Sequence, residues 1–132
     1  MEAKAILRSC TVAPRKMQLV ADLVRGRGVY LALNLLKYQP KAGAIFIEKL
    51  LKSAIANWQV KYPDADSESS DLYISQIFVT QGKTLKRFQP APQGRAHRIR
   101  KRSNHVTLVV SARSQSSIAE LAQSVETVET QN

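Results

Sequence analysis

Eight side chains between Thr80 and His105 carry a fixed positive charge: Lys83, Lys86, Arg87, Arg95, Arg98, Arg100, Lys101 and Arg102. No Asp or Glu occurs from Leu72 through Ala119, so nothing close in the chain neutralises them. The chemistry open to such a run is polyanion binding, because each phosphate met by Lys or Arg releases a counterion. Arginine suits it further, since its planar fork grips phosphate bidentately and stacks on exposed bases. The whole chain leans the same way: 20 Lys and Arg against 10 Asp and Glu give a net charge of +10 over 132 residues. A charge of that size favours a polyanionic partner, and solubility alone does not require it to be clustered.

A second basic pair, Arg15 and Lys16, opens the first predicted helix, where free N–H groups and the helix dipole attract phosphate. Arg25 and Arg27 sit at that helix's far end, where they either complement the C-terminal dipole or reach phosphate themselves.

Catalytic chemistry finds no such support. The only histidines, His97 and His105, have neither a nearby carboxylate nor a Cys or His at metal-ligand spacing. His97 falls within the basic run and is expected to stack or hydrogen-bond, and His105 opens a strand with a structural role. Cys10 has no evident base and reads as a small core residue. No phosphate-binding or dinucleotide glycine pattern occurs. Neither an enzyme, a metal site nor a cofactor is expected. One cysteine allows no internal disulfide. The N-terminal stretch lacks the apolar segment of a signal peptide, and no apolar run approaches a membrane span. A cytoplasmic protein is expected.

The elements that must carry the cations follow from periodicity. Leu72–Val79 and Val106–Val110 are apolar, β-rich runs that frame the basic segment, so an arm over about residues 80–105 is expected as a β-hairpin. Gln89-Pro90-Ala91-Pro92-Gln93-Gly94 supplies its turn: the prolines cannot donate to a ladder, and Gly94 permits positive φ. About a dozen residues per side at ~3.3 Å each would extend it about 40 Å. In an extended chain Arg98, Arg100 and Arg102 share one face, with Ile99 and Lys101 on the other. A strand charged on both faces cannot pack on a core, and an isolated ribbon is marginal in water. The arm is therefore expected to become fully ordered only among the anions of its partner.

The body precedes it. Lys4–Arg8 alternates weakly, as a strand does. Pro14 fits a first helical turn, Met17, Val20, Ala21 and Val24 follow at helical spacing, and Gly26 stops the helix. Ala13 is a poor N-cap. A second helix runs from about Val29 to Tyr38 with Ala32, Leu35 and Leu36 on one face. After Pro40, a third covers about Lys41 to Val60, where Ala44, Ile47, Leu51, Ala54 and Trp58 form the main core stripe. Residues 63–71 read as an acidic surface loop. From Ser114 the chain carries three Glu and no Lys or Arg. Ser117 and Glu120 have capping-box spacing there, and Ile118, Leu121, Val125 and Val128 have helical spacing. Residues 1–113 are thus expected as one domain and 114–132 as an acidic tail.

Four ordered segments resemble the bacterial large-subunit ribosomal protein twenty-two family. They are Ala13-Pro-Arg-Lys-Met-Gln-Leu-Val-Ala-Asp-Leu-Val-Arg-Gly26, Lys49-Leu-Leu-Lys-Ser-Ala-Ile-Ala-Asn57, Thr84-Leu-Lys-Arg87, and Gly94-Arg-Ala-His-Arg-Ile-Arg-Lys-Arg-Ser-Asn-His-Val-Thr107. The resemblance spans about Ala3 to Arg113. It implies an α+β fold, three helices on a small three-stranded antiparallel sheet with a long extended β-hairpin. It also implies a structural constituent of the large ribosomal subunit that binds large-subunit rRNA and enters assembly early. Its hairpin would line the nascent-peptide exit tunnel. Carried over by motif, Arg15, Lys16, Lys86, Arg87, Arg95, Arg98, Lys101 and Arg102 match RNA-contacting positions; Lys83 and Arg100 join them on charge. Neighbouring large-subunit proteins and the nascent peptide are the other implied partners, and no homo-oligomer is expected. Many family members have Arg directly after the hairpin proline, where this chain has Ala91-Pro92, and many have Ser where Ala13 stands. The expected tunnel-facing tip, Gln89, Pro90, Ala91, Pro92 and Gln93, is therefore poor in charge.

Two other readings fit a basic chain less well. A free-standing regulator would present an element shaped for a duplex groove, usually in a dimer. An RNA-modifying enzyme would need a general base or a metal site. Neither feature is found in the sequence.

Overall fold

The computed structural model describes residues 1–63 and 71–113. Its elements run β1 (Glu2–Cys10), α1 (Pro14–Val24), α2 (Val29–Tyr38), α3 (Gly43–Lys61), β2 (Leu72–Gln81), β3 (Leu85–Pro90), β4 (Ala96–Lys101) and β5 (Asn104–Ala112). Strands β1, β5 and β2 form an antiparallel sheet in that order, with β5 in the centre, and β3 and β4 form a separate two-stranded ladder. The α+β fold, its three helices and its projecting hairpin are those anticipated from sequence. The acidic segment between α3 and β2, apart from Pro63 and Asp71, and the tail from Ser114 with its capping-box pattern lie outside the described residues.

Alternation builds the sheet. Along β5, Asn104, Val106, Leu108 and Val110 are buried, while the residues between them are partly exposed. One face therefore meets the helices and the other is wetter, the usual pattern for an antiparallel sheet. Ala3 and Ala5 on β1 and Ile74 and Ile77 on β2 complete that inner face. Against it lie Met17, Val20, Ala21 and Val24 of α1, and Ala44, Ile47, Leu51, Ala54 and Trp58 of α3, all fully buried. These are the residues that helical spacing selects. Ile47, Leu51 and Trp58 each contribute about 1.5–3 kcal/mol by leaving water.

Helix α2 departs from expectation. Val29, Ala32 and Leu36 face inward, whereas Leu35 is 40% exposed. Residue 35 lies about 100° around the helix from residue 36, and α2 leans chiefly on α3. Only a narrow stripe of it is covered.

The outer edges of the body sheet are partly plugged. Along β1, Lys61 Nζ donates to the Glu2 carbonyl (2.8 Å), Asn57 Nδ2 donates to the Lys4 carbonyl (3.0 Å), and the Glu2 N–H donates to the Tyr62 hydroxyl (3.3 Å). Along β2, the α1–α2 link supplies the partners: the Gly26 N–H donates to the Ile74 carbonyl and the Ile74 N–H to the Arg27 carbonyl, each at 3.0 Å. Arg25 adds a bond from Nη2 to the Ile77 carbonyl (3.3 Å) and pairs with Asp22 (2.6 Å). Arg25 thus joins α1 to β2. Filled edges of this kind discourage pairing with another chain.

Candidate nucleic-acid interface

The arm grows out of the body through a narrow neck. The body ladder ends at Gln81 opposite Asn104, and the arm ladder begins at Leu85 opposite Lys101. Between them the Gly82 N–H donates to the Ser103 carbonyl (2.8 Å), and Ser103 Oγ donates to the Lys83 carbonyl (2.6 Å). A Cβ on Gly82 would stand 2.6 Å from Ser103 Oγ and 3.2 Å from Ser103 backbone atoms, so a side chain at residue 82 would force the neck to shift. Asn104, fully buried, donates from Nδ2 to the Val12 carbonyl (2.5 Å) and ties the β1–α1 link to the arm's root. His105 Nδ1 accepts from the Ser9 N–H (2.9 Å), the structural role expected of it. Ser9 itself has φ of 54°, at an irregularity in the β1–β5 register.

Beyond the neck, six residue pairs form the regular ladder, from Leu85 opposite Lys101 to Pro90 opposite Ala96. Six residues at ~3.3 Å span about 20 Å; neck and tip make up the rest of the arm. Residues directly opposite share a face, so one face carries Lys86, Arg100, Phe88 and Arg98. The other carries Leu85, Lys101, Arg87, Ile99, Gln89 and His97. Both faces are charged, as the sequence requires. Arg102 lies in the neck, one residue beyond the end of β4.

The tip turns through Pro92–Gly94, with the Ala91 N–H donating to the Arg95 carbonyl (2.8 Å). Gly94 has φ of 69°, the positive value its sequence position suggested. Gln93 shares it at 65°, a conformation a non-glycine residue adopts uncommonly and that no local signal announced. Gln89, Pro90, Pro92 and Gln93 are exposed and Ala91 partly so.

All ten cations selected from sequence are exposed, and none takes part in an ion pair among the described residues. The fold brings half of them together. Lys16 from the first turn of α1, Lys83 and Arg102 from the neck, and Arg100 and Lys101 from β4 line one cleft of about 700 Å³ between body and arm. Val12 and Leu85 lie in its wall, and no carboxylate lines it among the described residues. Arg15 is its neighbour on α1, while Lys86, Arg87, Arg95 and Arg98 continue outward along the arm. This cationic track joins two regions far apart in sequence. Burial explains the convergence: Asn104 and Val12 hold the start of α1 against the arm's root. Like-charged side chains held together without counter-charges form a site for a polyanion.

Sequence reasoning passed over Phe88, Leu85 and Ser103. Phe88 is 71% exposed and Leu85 47%. The signal for Leu85 and Phe88 was a pair of apolar residues set among cations on a strand charged on both faces. No group of three or more metal-binding side chains occurs among the described residues, and none of their helices is long and apolar enough to cross a membrane.

Comparison with known proteins accords with this arrangement. The chain is similar to the large ribosomal subunit protein uL22 of Christiangramia forsetii, 58% identical over 110 residues, which are 83% of this chain and 82% of that protein. The uL22 of Bacteroides thetaiotaomicron is 56% identical over 110 residues, 83% of this chain and 80% of that protein. The uL22 of Chlorobium phaeobacteroides is 50% identical over the same length, covering 94% of that protein. A family profile described as ribosomal protein L22p/L17e matches residues 5–111. That span runs from β1 to β5 with the neck and arm inside it, and the chain belongs to the ribosomal protein L22p/L17e family.

Proposed function

We propose that this protein is built into the large ribosomal subunit, where it binds large-subunit rRNA, aids subunit assembly and lines the nascent-peptide exit tunnel with its hairpin. Its family makes it a structural component of a bacterial cytoplasmic ribosome and not an enzyme. The observation that carries the RNA-binding part is the uncompensated cationic track from the α1 start through the neck to the arm. Arg15, Lys16, Lys83, Lys86, Arg87, Arg95, Arg98, Arg100, Lys101 and Arg102 are its RNA-contacting residues.

Residues 1–113 act as one unit in this reading. The body docks on the rRNA surface and neighbouring subunit proteins, and the arm over about residues 80–105 threads inward between RNA segments. A ribbon charged on both faces suits a surrounding of phosphates and no one-sided surface. The charge-poor tip, Gln89 to Gln93, then meets the passing peptide.

Sucrose-gradient sedimentation of a lysate tests the assignment. The protein should travel with large subunits and leave them only at high salt; sedimentation at the top of the gradient would refute it. Crosslinking from a photoreactive residue at Ala91 should capture nascent chains, and capture of rRNA alone would remove the tunnel-facing role of the tip.

A further inference from the structure

Among the described residues, Phe88 has no place in the packed core. It sits on the arm, away from the core, with 71% of its surface in water. An aromatic ring so exposed on a ribbon contributes little to folding, and it invites association with anything apolar. Its surroundings narrow what that is. Arg98 stands directly opposite on the same face, and the next pair on that face, Lys86–Arg100, lies two residues along the ladder. A notch of about 260 Å³ opens there, lined by Phe88, Ile99 and the cations Lys86, Arg87, Arg98 and Arg100. That is the scale of one flat base and not of a helix groove.

We propose that Phe88 is a stacking platform for one unpaired RNA base, with Arg98, Lys86 and Arg100 taking the phosphates on either side of it. This rests on the reading that the arm binds RNA and adds to it a preference for single-stranded over paired segments. The chemistry is that of an aromatic face among cations: the ring accepts any base, and the charges hold the backbone that presents it. A paired base cannot reach the ring, because its faces are already stacked. An apolar peptide would match Phe88 but would leave the four cations lining the notch without partners, and for that reason RNA is the better occupant.

The test uses the full chain and two probes at one salt concentration, a short oligouridylate and a GC-rich RNA duplex of equal strand length. Phe88→Ala should weaken oligouridylate binding by about five- to a hundredfold and leave duplex binding and its salt slope unchanged. Phe88→Leu should behave like the alanine variant, and Phe88→Trp should restore affinity with its emission quenched on binding. The melting temperature should not move in any of the three. Equal weakening toward both probes, no change toward either, or rescue by leucine would each overturn the stacking site. A leucine-rich peptide whose binding falls in Phe88→Ala while oligouridylate binding holds would reassign the ring to a peptide. Failure of the unaltered protein to bind either RNA would instead overturn the RNA-binding reading, and this proposal with it.

Discussion

Lys86 stands directly opposite Arg100 in the arm's ladder, two like charges on one face of a ribbon with no carboxylate paired to them among the described residues. Directly opposed like charges destabilise a strand pair. The free arm is therefore held together against its own side chains, and an anion between the two relieves the repulsion. Lys86→Glu should make the opposite trade. It converts the pair to an attractive one, stabilising the free ribbon by up to about 1 kcal/mol, and removes a phosphate contact. Hydrogen exchange of the β3 and β4 amides in the free protein should slow while RNA affinity falls. Slower exchange with unchanged affinity would show that the pair does not meet RNA.

Replacing Arg98, Arg100 and Arg102 together with Ala should barely change the melting temperature, because all three are exposed and outside the core. RNA binding should weaken, and the slope of log affinity against log salt should shrink by about 2–3 if each meets one phosphate. A large loss of thermal stability would mean that the arm folds back on the body.

Asn104→Ala should cost about 1–3 kcal/mol, because it removes a fully buried side chain and leaves the part-buried Val12 carbonyl without that donor. The β1–α1 link should loosen from the arm's root, so RNA affinity should fall more than the arginine count predicts. Denaturant unfolding and RNA titration on the same variant separate the two effects.

Leu51→Ala should cost about 2–5 kcal/mol, as a fully buried leucine at the centre of α3. At a temperature where the variant remains folded, its RNA affinity should match that of the parent, since no cation moves. Calorimetry with a binding isotherm checks both halves.

Gly82→Ala should open the neck. The added methyl would press on Ser103 backbone atoms, at about 1–3 kcal/mol. Amides of Gly82 and of the residues flanking Ser103 should then exchange faster, and cations on the arm should part from Lys16 on α1. Unaltered exchange would mean that the neck tolerates a side chain.

Much of the fold was legible because it rests on repetition. The α3 stripe from Ala44 to Trp58 and the α1 stripe from Met17 to Val24 follow spacing alone, and both are buried as drawn. Leu35 was misplaced because spacing cannot say how wide a stripe the neighbours will cover. The ten cations were legible by type, and their exposure follows from charge. Their grouping was not: the cleft depends on Asn104 reaching Val12, a contact between residues 92 apart. Arg102 falls in the neck rather than in the regular ladder because Gly82 and Ser103 interrupt the pairing there, a tertiary event that alternation cannot announce. Phe88 was overlooked because an aromatic residue in a strand usually signals a core.

The arm's ladder has only two strands, so each of its strands is an edge, whereas the body's edges are partly filled by Lys61, Asn57 and the α1–α2 link. Newly made copies awaiting assembly would meet one another through those bare edges. Two approaching arms would bring together side chains of one sign, and at physiological salt that repulsion acts over about 8 Å. The charge that seeks phosphate is thus also the molecule's protection against fibrous self-association, and it fails where screening is strong: at 1 M salt its range contracts to about 3 Å, shorter than the separation between paired strands.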